Sequence, residues 1–158
     1  MKQAVKTADR VVNGLLEFVV IAMLAVMSAV VFAQVVFRLI HASIPWSEEL
    51  SKYLLIWSTF LGAALGVRKG SLIGLEFFAD LLPKKGQQAL TVLVNIVVVA
   101  LLALLIGVGY WASGRVWYQT TPVMKLPMGL MYAAVPTGAL FMLFNTLISI
   151  YDMWKGEN

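Results

Sequence analysis

The feature that most constrains this sequence is a set of four apolar runs, each long enough to cross a lipid bilayer. A bilayer core of roughly 30 Å is spanned by about 20 residues of α-helix, because each residue adds about 1.5 Å of rise. The four runs are predicted to be transmembrane helices over residues 11–40, 45–67, 87–118 and 127–154. With 61% hydrophobic and only 13% charged residues, the chain is predicted to be an all-α integral membrane protein with a single membrane domain.

A fifth, shorter segment lies between the second and third runs, over residues 72–82. It is too short to span a bilayer. Glu76 and Asp80 are four residues apart and share one helix face, whereas leucine and phenylalanine side chains occupy another face, and basic residues flank both ends. The segment is therefore predicted to be a short interfacial amphipathic helix that lies in the plane of the membrane.

Basic residues divide unequally between the two sides of the predicted bundle, with eight on the side of the N-terminus and four on the other. The larger group is Lys2, Lys6, Arg10, Arg68, Lys69, Lys84, Lys85 and Lys155, and the smaller group is Arg38, Lys52, Arg115 and Lys125. Because the side richer in basic residues faces the cytoplasm, both termini are predicted to be cytoplasmic. His41 would then lie in an external loop, and a single histidine cannot build a metal site.

Two adjacent carboxylates stand at the start of the second run, in the stretch Pro-Trp-Ser-Glu-Glu-Leu that begins at Pro45. Proline suits the first position of a helix, and Glu48 and Glu49 suit its positive N-terminal end. Three interpretations of the pair remain open. The carboxylates stabilise the helix end, form an ion pair with Arg38 or Lys52, or bind basic groups on a soluble partner protein.

The second run also carries two stripes at helical spacing. Trp46, Tyr53 and Trp57 belong to an aromatic side, which is typical of a membrane-interface belt or of helix packing. Small residues recur every four positions on a neighbouring side, and this pattern predicts close contact with another helix of this chain or of a partner. These small residues are Ser58, Gly62 and Gly66.

Polar residues and a proline interrupt the last two runs. Asn95 is predicted to bond to a neighbouring helix, and neighbouring helices are also expected to satisfy Asn145. Pro136 lies inside the fourth run, where a missing backbone N–H and a steric clash with the preceding turn should bend or loosen the helix.

A series of residues along the chain carries a family resemblance. The series is Phe37-Arg38, Pro45 to Leu50, Trp57, Phe60 to Ala64, Arg68 to Gly70, Leu81 to Pro83, Leu126-Pro127 and Val135 to Gly138. Together these resemble the small membrane subunit of tripartite ATP-independent periplasmic (TRAP) transporters over nearly the whole chain. The tryptophan-acid-acid segment is the most specific part. The chain departs from the family pattern at Leu39 and Ile40, where an aromatic residue is frequent, and at Leu72, where histidine is common.

The resemblance implies a multi-pass protein of the bacterial inner membrane that works with a large multispanning transport subunit and a periplasmic substrate-binding protein. Such a system imports organic acids, such as C4-dicarboxylates or sialic acids, on a sodium gradient. The large subunit would carry substrate and sodium, so no catalytic, cofactor-binding or metal-binding residue is expected in this chain. The candidate partner-interface or structural residues are Arg38, Trp46, Glu48, Glu49, Lys52, Trp57, Ser58, Gly62 and Gly66.

Alternatives to an accessory subunit follow from the residues themselves. A small homo-oligomeric transporter would need ionisable groups in the membrane core, and a membrane-embedded enzyme would need a catalytic constellation; the sequence shows neither. Nucleic acid is not an expected partner, because no basic stripe with interleaved aromatic residues is present. Membrane lipids are expected to surround the chain, and Arg38 could simply extend its side chain to the membrane surface.

Overall fold

The computed structural model describes residues 2–68 and 84–154 of the chain. These residues form five α-helices and no β-strand: α1 Lys2–Leu39, α2 Pro45–Arg68, α3 Lys84–Arg115, α4 Met128–Tyr132 and α5 Ala134–Trp154. Four stretches are long and apolar enough to cross a membrane, namely Asp9–Leu39, Pro45–Arg68, Leu90–Arg115 and Met128–Tyr151. The predicted all-α fold with four transmembrane helices is confirmed. The predicted interfacial helix over residues 72–82 lies outside the described residues.

The connection between α1 and α2 is a helix C-cap followed directly by a proline start. Ala42 N–H donates to the Phe37 carbonyl at 3.0 Å, and His41 N–H donates to the Arg38 carbonyl at 3.2 Å. His41 has a φ of 58°, the left-handed conformation that this pair of bonds requires and that glycine usually supplies. Pro45 then opens α2, where its missing N–H costs nothing. The short connection makes α1 and α2 an antiparallel pair.

The long helices pack in the order α1, α2, α5, α3. Helices α2 and α5 form the central pair, α1 packs on the outer side of α2, and α3 packs on the outer side of α5. A cluster of Leu16, Leu61 and Leu65 joins α1 to α2, and Phe141 of α5 packs against it. Apolar side chains on the outer helices remain uncovered, as at Phe18, which is 70% exposed. These surfaces suit lipid or another membrane-embedded chain.

Glycine allows the closest approaches between the described helices. A methyl group added at Gly138 of α5 would lie 2.6 Å from Cβ of Phe60 on α2 and 3.0 Å from the backbone of that residue. At Gly109 of α3, it would lie 2.8 Å from Cδ of Pro136. Gly62 is different, because a methyl group there would meet only Cγ1 of Val20, at 4.0 Å. Within this chain the tight contact of α2 therefore uses a glycine of α5, and contact of the predicted small-residue stripe with a partner chain stays a prediction.

The predicted fourth transmembrane helix is interrupted at Ala133, between α4 and α5. Pro136 lies in the first turn of α5 and has no N–H to donate to the carbonyl of Tyr132, four residues earlier. Thr137 N–H still donates to the carbonyl of Ala133 at 3.1 Å. The interruption therefore lies one turn before the proline at which the sequence predicts a local loosening.

Candidate functional site

The segment that connects α3 to α4 is a compact loop over residues 119–127. Its base is closed by Met128 N–H, which donates to the Gln119 carbonyl at 2.7 Å, and by Thr121 N–H, which donates to the Leu126 carbonyl at 2.9 Å. Lys125 takes a φ of 54° in the turn. The loop thus folds back on itself and directs its tip toward the start of α2.

Glu49 holds the tip of this loop. Its two carboxylate oxygens accept hydrogen bonds from consecutive backbone amides, one from Val123 N–H at 3.0 Å and one from Met124 N–H at 2.8 Å. Hydrogen bonds to an ionised acceptor are stronger than those between neutral groups. The residues lie 74 and 75 positions apart in sequence, so Glu49 fixes the position of a distant loop.

Two aromatic residues continue this contact along the same face of α2. The Tyr53 hydroxyl donates to the Pro127 carbonyl at 3.1 Å, and the Trp57 indole N–H donates to the Leu130 carbonyl at 3.1 Å. Glu49, Tyr53 and Trp57 are spaced four residues apart and therefore stack along one side of the helix. We call these three residues the α2 ladder. The ladder holds the backbone of the 119–127 loop and α4 against α2.

Glu48 faces a different surface from its neighbour. Its Oε1 accepts a long hydrogen bond of 3.4 Å from the Gln34 side-chain amide of α1. Glu48, Gln34 and Arg38 line a cleft of about 370 Å³ between the end of α1, the start of α2 and Val123 of the loop. No ion pair within 4.0 Å joins Arg38 to either carboxylate in the described part of the chain.

A second polar cluster lies near the opposite ends of α1, α2 and α5. The Arg68 guanidinium of α2 bonds to both carboxylate oxygens of Asp9 on α1, with Nη2 at 2.7 Å from Oδ2 and Nε at 2.9 Å from Oδ1. Asp9 Oδ1 also accepts from the Asn13 side-chain amide at 2.8 Å. The ion pair is partly exposed and connects α1 to the last turn of α2.

Asn145 extends the same cluster to α5. Its side chain is 0% exposed and exchanges two hydrogen bonds with the Asn13 amide, at 2.9 and 3.0 Å. Its Nδ2 also donates to the Ala64 carbonyl of α2 at 2.7 Å. One buried amide thus binds two other helices, which confirms the prediction that neighbouring helices satisfy Asn145. We call Asp9, Asn13, Arg68 and Asn145 the three-helix network.

Among the described residues, Asn95 bonds to its own helix, and the predicted bond to a neighbouring helix of a partner chain stays a prediction. Its Nδ2 donates to the Thr91 carbonyl at 2.9 Å, one turn earlier on its own helix α3. An asparagine side chain can reach the backbone carbonyl four residues earlier. The Asn95 amide on the outer helix α3 therefore has a hydrogen-bond acceptor without a second helix beside it. Asp9 and Asn13 were assigned no role from the sequence. The available signal was an acidic residue just before the predicted start of helix one and a polar residue just inside it, on the same membrane side as Arg68.

The structure separates the nine candidate residues into different surroundings. Glu49 and Trp57 belong to the α2 ladder, Arg38 and Glu48 line the cleft, and Trp46 and Lys52 are exposed. Ser58 is buried and donates to the Leu55 carbonyl at 3.0 Å. Gly62 lies near α1, and Gly66 is half-buried. Among the described residues, no group of three or more potential ligands could hold a metal ion.

Four helices that can cross a membrane, joined by polar contacts between helices and to one loop, define a multi-pass membrane protein. The sequence comparison identifies its family. Residues 27–156 match the DctQ component of tripartite ATP-independent periplasmic transporters, and the chain belongs to this family. It is therefore an inner-membrane transporter component and not an enzyme.

Individual relatives agree with this assignment. The chain is 26% identical to the sialic acid TRAP transporter small permease protein SiaQ of Vibrio cholerae, over 95% of this chain and 87% of the relative. It is 34% identical to a putative TRAP transporter small permease protein of Haemophilus influenzae, over 92% of this chain and 94% of the relative. It also matches 20% of a longer protein, the sialic acid TRAP transporter permease protein SiaT of Haemophilus influenzae, with 26% identity over 79% of this chain.

Proposed function

We propose that this chain is the accessory membrane subunit of a sodium-coupled importer of organic acids, of the C4-dicarboxylate or sialic-acid type. It would work with a large multispanning permease subunit and a periplasmic substrate-binding protein. Substrate and sodium would bind to the large subunit. The family match and the small permease proteins among the relatives support the proposal.

The observation that carries the accessory role is the use of polar side chains within the membrane spans. Several such side chains, including the four in the pairs below, each donate to a carbonyl four residues earlier on the same helix, so these hydrogen bonds are not directed at an organic anion. The pairs are Ser28 with Leu24 at 2.8 Å, Thr59 with Leu55 at 2.7 Å, Asn95 with Thr91 at 2.9 Å and Thr137 with Ala133 at 2.6 Å.

A large permease partner is supported by the relative SiaT, in which a region similar to this chain makes up one fifth of a longer permease protein. The structure offers surfaces for such a partner, because apolar side chains on both outer helices are uncovered, including Phe32 at 71% and Ile96 at 62% exposure. The excess of basic residues on the N-terminal side supports cytoplasmic termini. The 119–127 loop and the α2 ladder would then face the periplasm, where a soluble binding protein can reach them.

Transport by purified components tests this proposal. The chain and its large subunit would be reconstituted together in liposomes, with the binding protein and radiolabelled sialic acid or C4-dicarboxylate outside. We expect uptake only when all three proteins are present, and we expect it to stop when potassium replaces sodium. Uptake by this chain alone would establish the homo-oligomeric transporter instead, and full uptake without this chain would contradict an essential accessory role. Failure with both substrates, but uptake of another compound, would correct the substrate class alone.

A further inference from the structure

The cleft between the end of α1 and the start of α2 holds two opposite charges that do not pair with each other. Arg38 and Glu48 both line it, yet they form no ion pair within 4.0 Å. Among the described residues, the Arg38 side chain makes no hydrogen bond, and the Glu48 carboxylate receives only the 3.4 Å bond from Gln34. A guanidinium has five N–H donors and a carboxylate can accept several hydrogen bonds. Both groups therefore have unused capacity for a ligand.

The depth of the cleft limits which ligand can reach it. Arg38 lies in the last turn of α1, and Glu48 lies in the first turn of α2. The candidate spans of these helices end at Leu39 and begin at Pro45, so the cleft lies where the membrane-spanning segments meet the headgroup layer. This placement is the same for either orientation of the chain. Phospholipid headgroups are the most abundant charged molecules at this depth.

Exposed apolar residues follow two of the lining residues, Arg38 and Pro45, directly in sequence, and we call these apolar residues the apolar margin. Leu39 is 76% exposed, Ile40 is 66% exposed, and Trp46 at the start of α2 is 45% exposed. Tryptophan is enriched at membrane interfaces, where its ring contacts both the acyl chains and the headgroups. The cleft thus combines a guanidinium and a carboxylate with an apolar margin, which matches the two parts of a phospholipid. Its volume of about 370 Å³ is within the range of small-molecule sites, roughly 300–1,000 Å³.

From these observations we infer that the cleft binds a phospholipid with a phosphoethanolamine headgroup. The phosphate accepts hydrogen bonds from the Arg38 guanidinium, whose planar fork suits phosphate oxygens. The primary ammonium donates to the Glu48 carboxylate. A choline headgroup has the same two charges, but its nitrogen has no N–H to donate. A glycerol headgroup has no cation, and its phosphate would meet the uncompensated charge of Glu48.

Lipid retention by the purified full-length chain tests the inference. The protein would be exchanged into lipid-free detergent and mixed with phosphatidylethanolamine, phosphatidylcholine or phosphatidylglycerol of identical acyl chains. Bound lipid would then be counted by native mass spectrometry. We expect the parent protein to retain phosphatidylethanolamine about tenfold more strongly than either other lipid, a difference that corresponds to ~1.4 kcal/mol. Equal retention of phosphatidylcholine would overturn the role of Glu48 as an acceptor for the ammonium group.

Two variants and one matched control assign the effect to the cleft. Arg38→Gln should lower retention of phosphatidylethanolamine about tenfold, and Glu48→Gln should remove its preference over phosphatidylcholine while phosphate binding persists. Arg115→Gln is the control, because Arg115 ends α3 at the same end of the molecule but stacks on Trp111, 4.0 Å from the ring centre. Arg115→Gln should behave like the parent. Unchanged retention by Arg38→Gln, or an equal loss in Arg115→Gln, would overturn the site.

Two further measurements separate this lipid from other occupants. Circular dichroism of each variant in detergent establishes that the fold is intact, so that a loss of lipid reports on the site. Soluble O-phosphoethanolamine should not displace the lipid at an equal concentration, because it lacks acyl chains to contact the apolar margin. If the parent retains no lipid, but Arg38→Gln reduces copurification of the large subunit, the cleft is a protein contact and the lipid inference is wrong.

Discussion

Two asparagines on membrane-spanning helices show that the same side chain has different structural roles on a central helix and on an outer helix of the bundle. Asn145 is fully buried on a central helix and bonds to Asn13 of α1 and to the Ala64 carbonyl of α2. Asn95 is half-buried on the outer helix α3 and bonds to its own helix through Thr91. The first side chain joins three helices, and the second makes no hydrogen bond to another helix in the described part of the chain.

This contrast predicts unequal effects of the same substitution. Asn145→Leu removes the bonds to α1 and α2 and leaves the Asn13 amide and the Ala64 carbonyl without these partners, so it should lower the free energy of unfolding by about 1–3 kcal/mol. Asn95→Leu should change it by less than about 0.5 kcal/mol, because no partner on another helix loses a bond. Reversible unfolding in mixed micelles measures both values. No greater loss in Asn145→Leu than in Asn95→Leu would show that the bonds of Asn145 to α1 and α2 do not stabilise the fold.

Glu49 supplies a second prediction at the residue scale. Glu49→Gln retains one amide oxygen as acceptor where the carboxylate offers two, so the loop tip should open more often. Amide hydrogen exchange at Val123 and Met124 should become faster, on the order of tenfold. Glu48→Gln is the matched control, since Glu48 makes no bond to the loop among the described residues. Equal exchange at the loop tip in the parent and Glu49→Gln would contradict the contact.

At the scale of helices and loops, the sequence predicted periodic features better than contacts between distant segments. Hydropathy placed four spans, and Pro45 with its following acids marked the start of α2. The bond from Glu49 to the loop could not be read from periodicity, because it depends on how a turn about 74 residues later folds back. The ion pair of the three-helix network was missed for the same reason, since the side chains of Asp9 and Arg68 meet only after the helices pack.

Helix packing predicts that alanine substitution at Gly138 and at Gly62 has different effects on stability. Gly138→Ala would place a methyl group against Cβ and the backbone of Phe60 and should destabilise the protein by about 1–3 kcal/mol. Gly62→Ala meets only Val20 at 4.0 Å and should be neutral or slightly stabilising, because alanine favours helix more than glycine does. Thermal unfolding in detergent compares the pair. A larger loss for Gly62→Ala would show that the small-residue stripe of α2, rather than Gly138, carries the critical approach.

At the scale of the whole molecule, the long helices pack in the order α1, α2, α5, α3. The α2 ladder and the three-helix network both involve the central helices of this order. The α2 ladder holds the loop at one end, and the three-helix network holds α1, α2 and α5 at the other. The outer faces of α1 and α3 stay apolar and uncovered among the described residues. This arrangement gives a pre-formed core with wide membrane-facing surfaces, as expected of a subunit that adds to a larger membrane assembly.

The last prediction concerns which end of the helix bundle faces the periplasm. Ser43 lies in the connection between α1 and α2, and Gln119 begins the loop after α3, so both mark the end of the molecule that carries the α2 ladder. Gly86 lies near the start of α3, at the opposite end. Because the basic residues are concentrated at the end that includes the N-terminus, Ser43 and Gln119 should face the periplasm, with Gly86 on the cytoplasmic side.

The chain contains no cysteine, so single cysteines can be introduced without altering a background residue. In intact spheroplasts, an impermeant thiol reagent should label Ser43→Cys and Gln119→Cys but not Gly86→Cys. Permeabilised cells provide the control, because all three variants should react there once access is equal on both sides. Labelling of Gly86→Cys alone in intact spheroplasts would invert the orientation and place the α2 ladder and its loop in the cytoplasm. A periplasmic binding protein could not then reach the loop, so this experiment also tests which end can receive that partner.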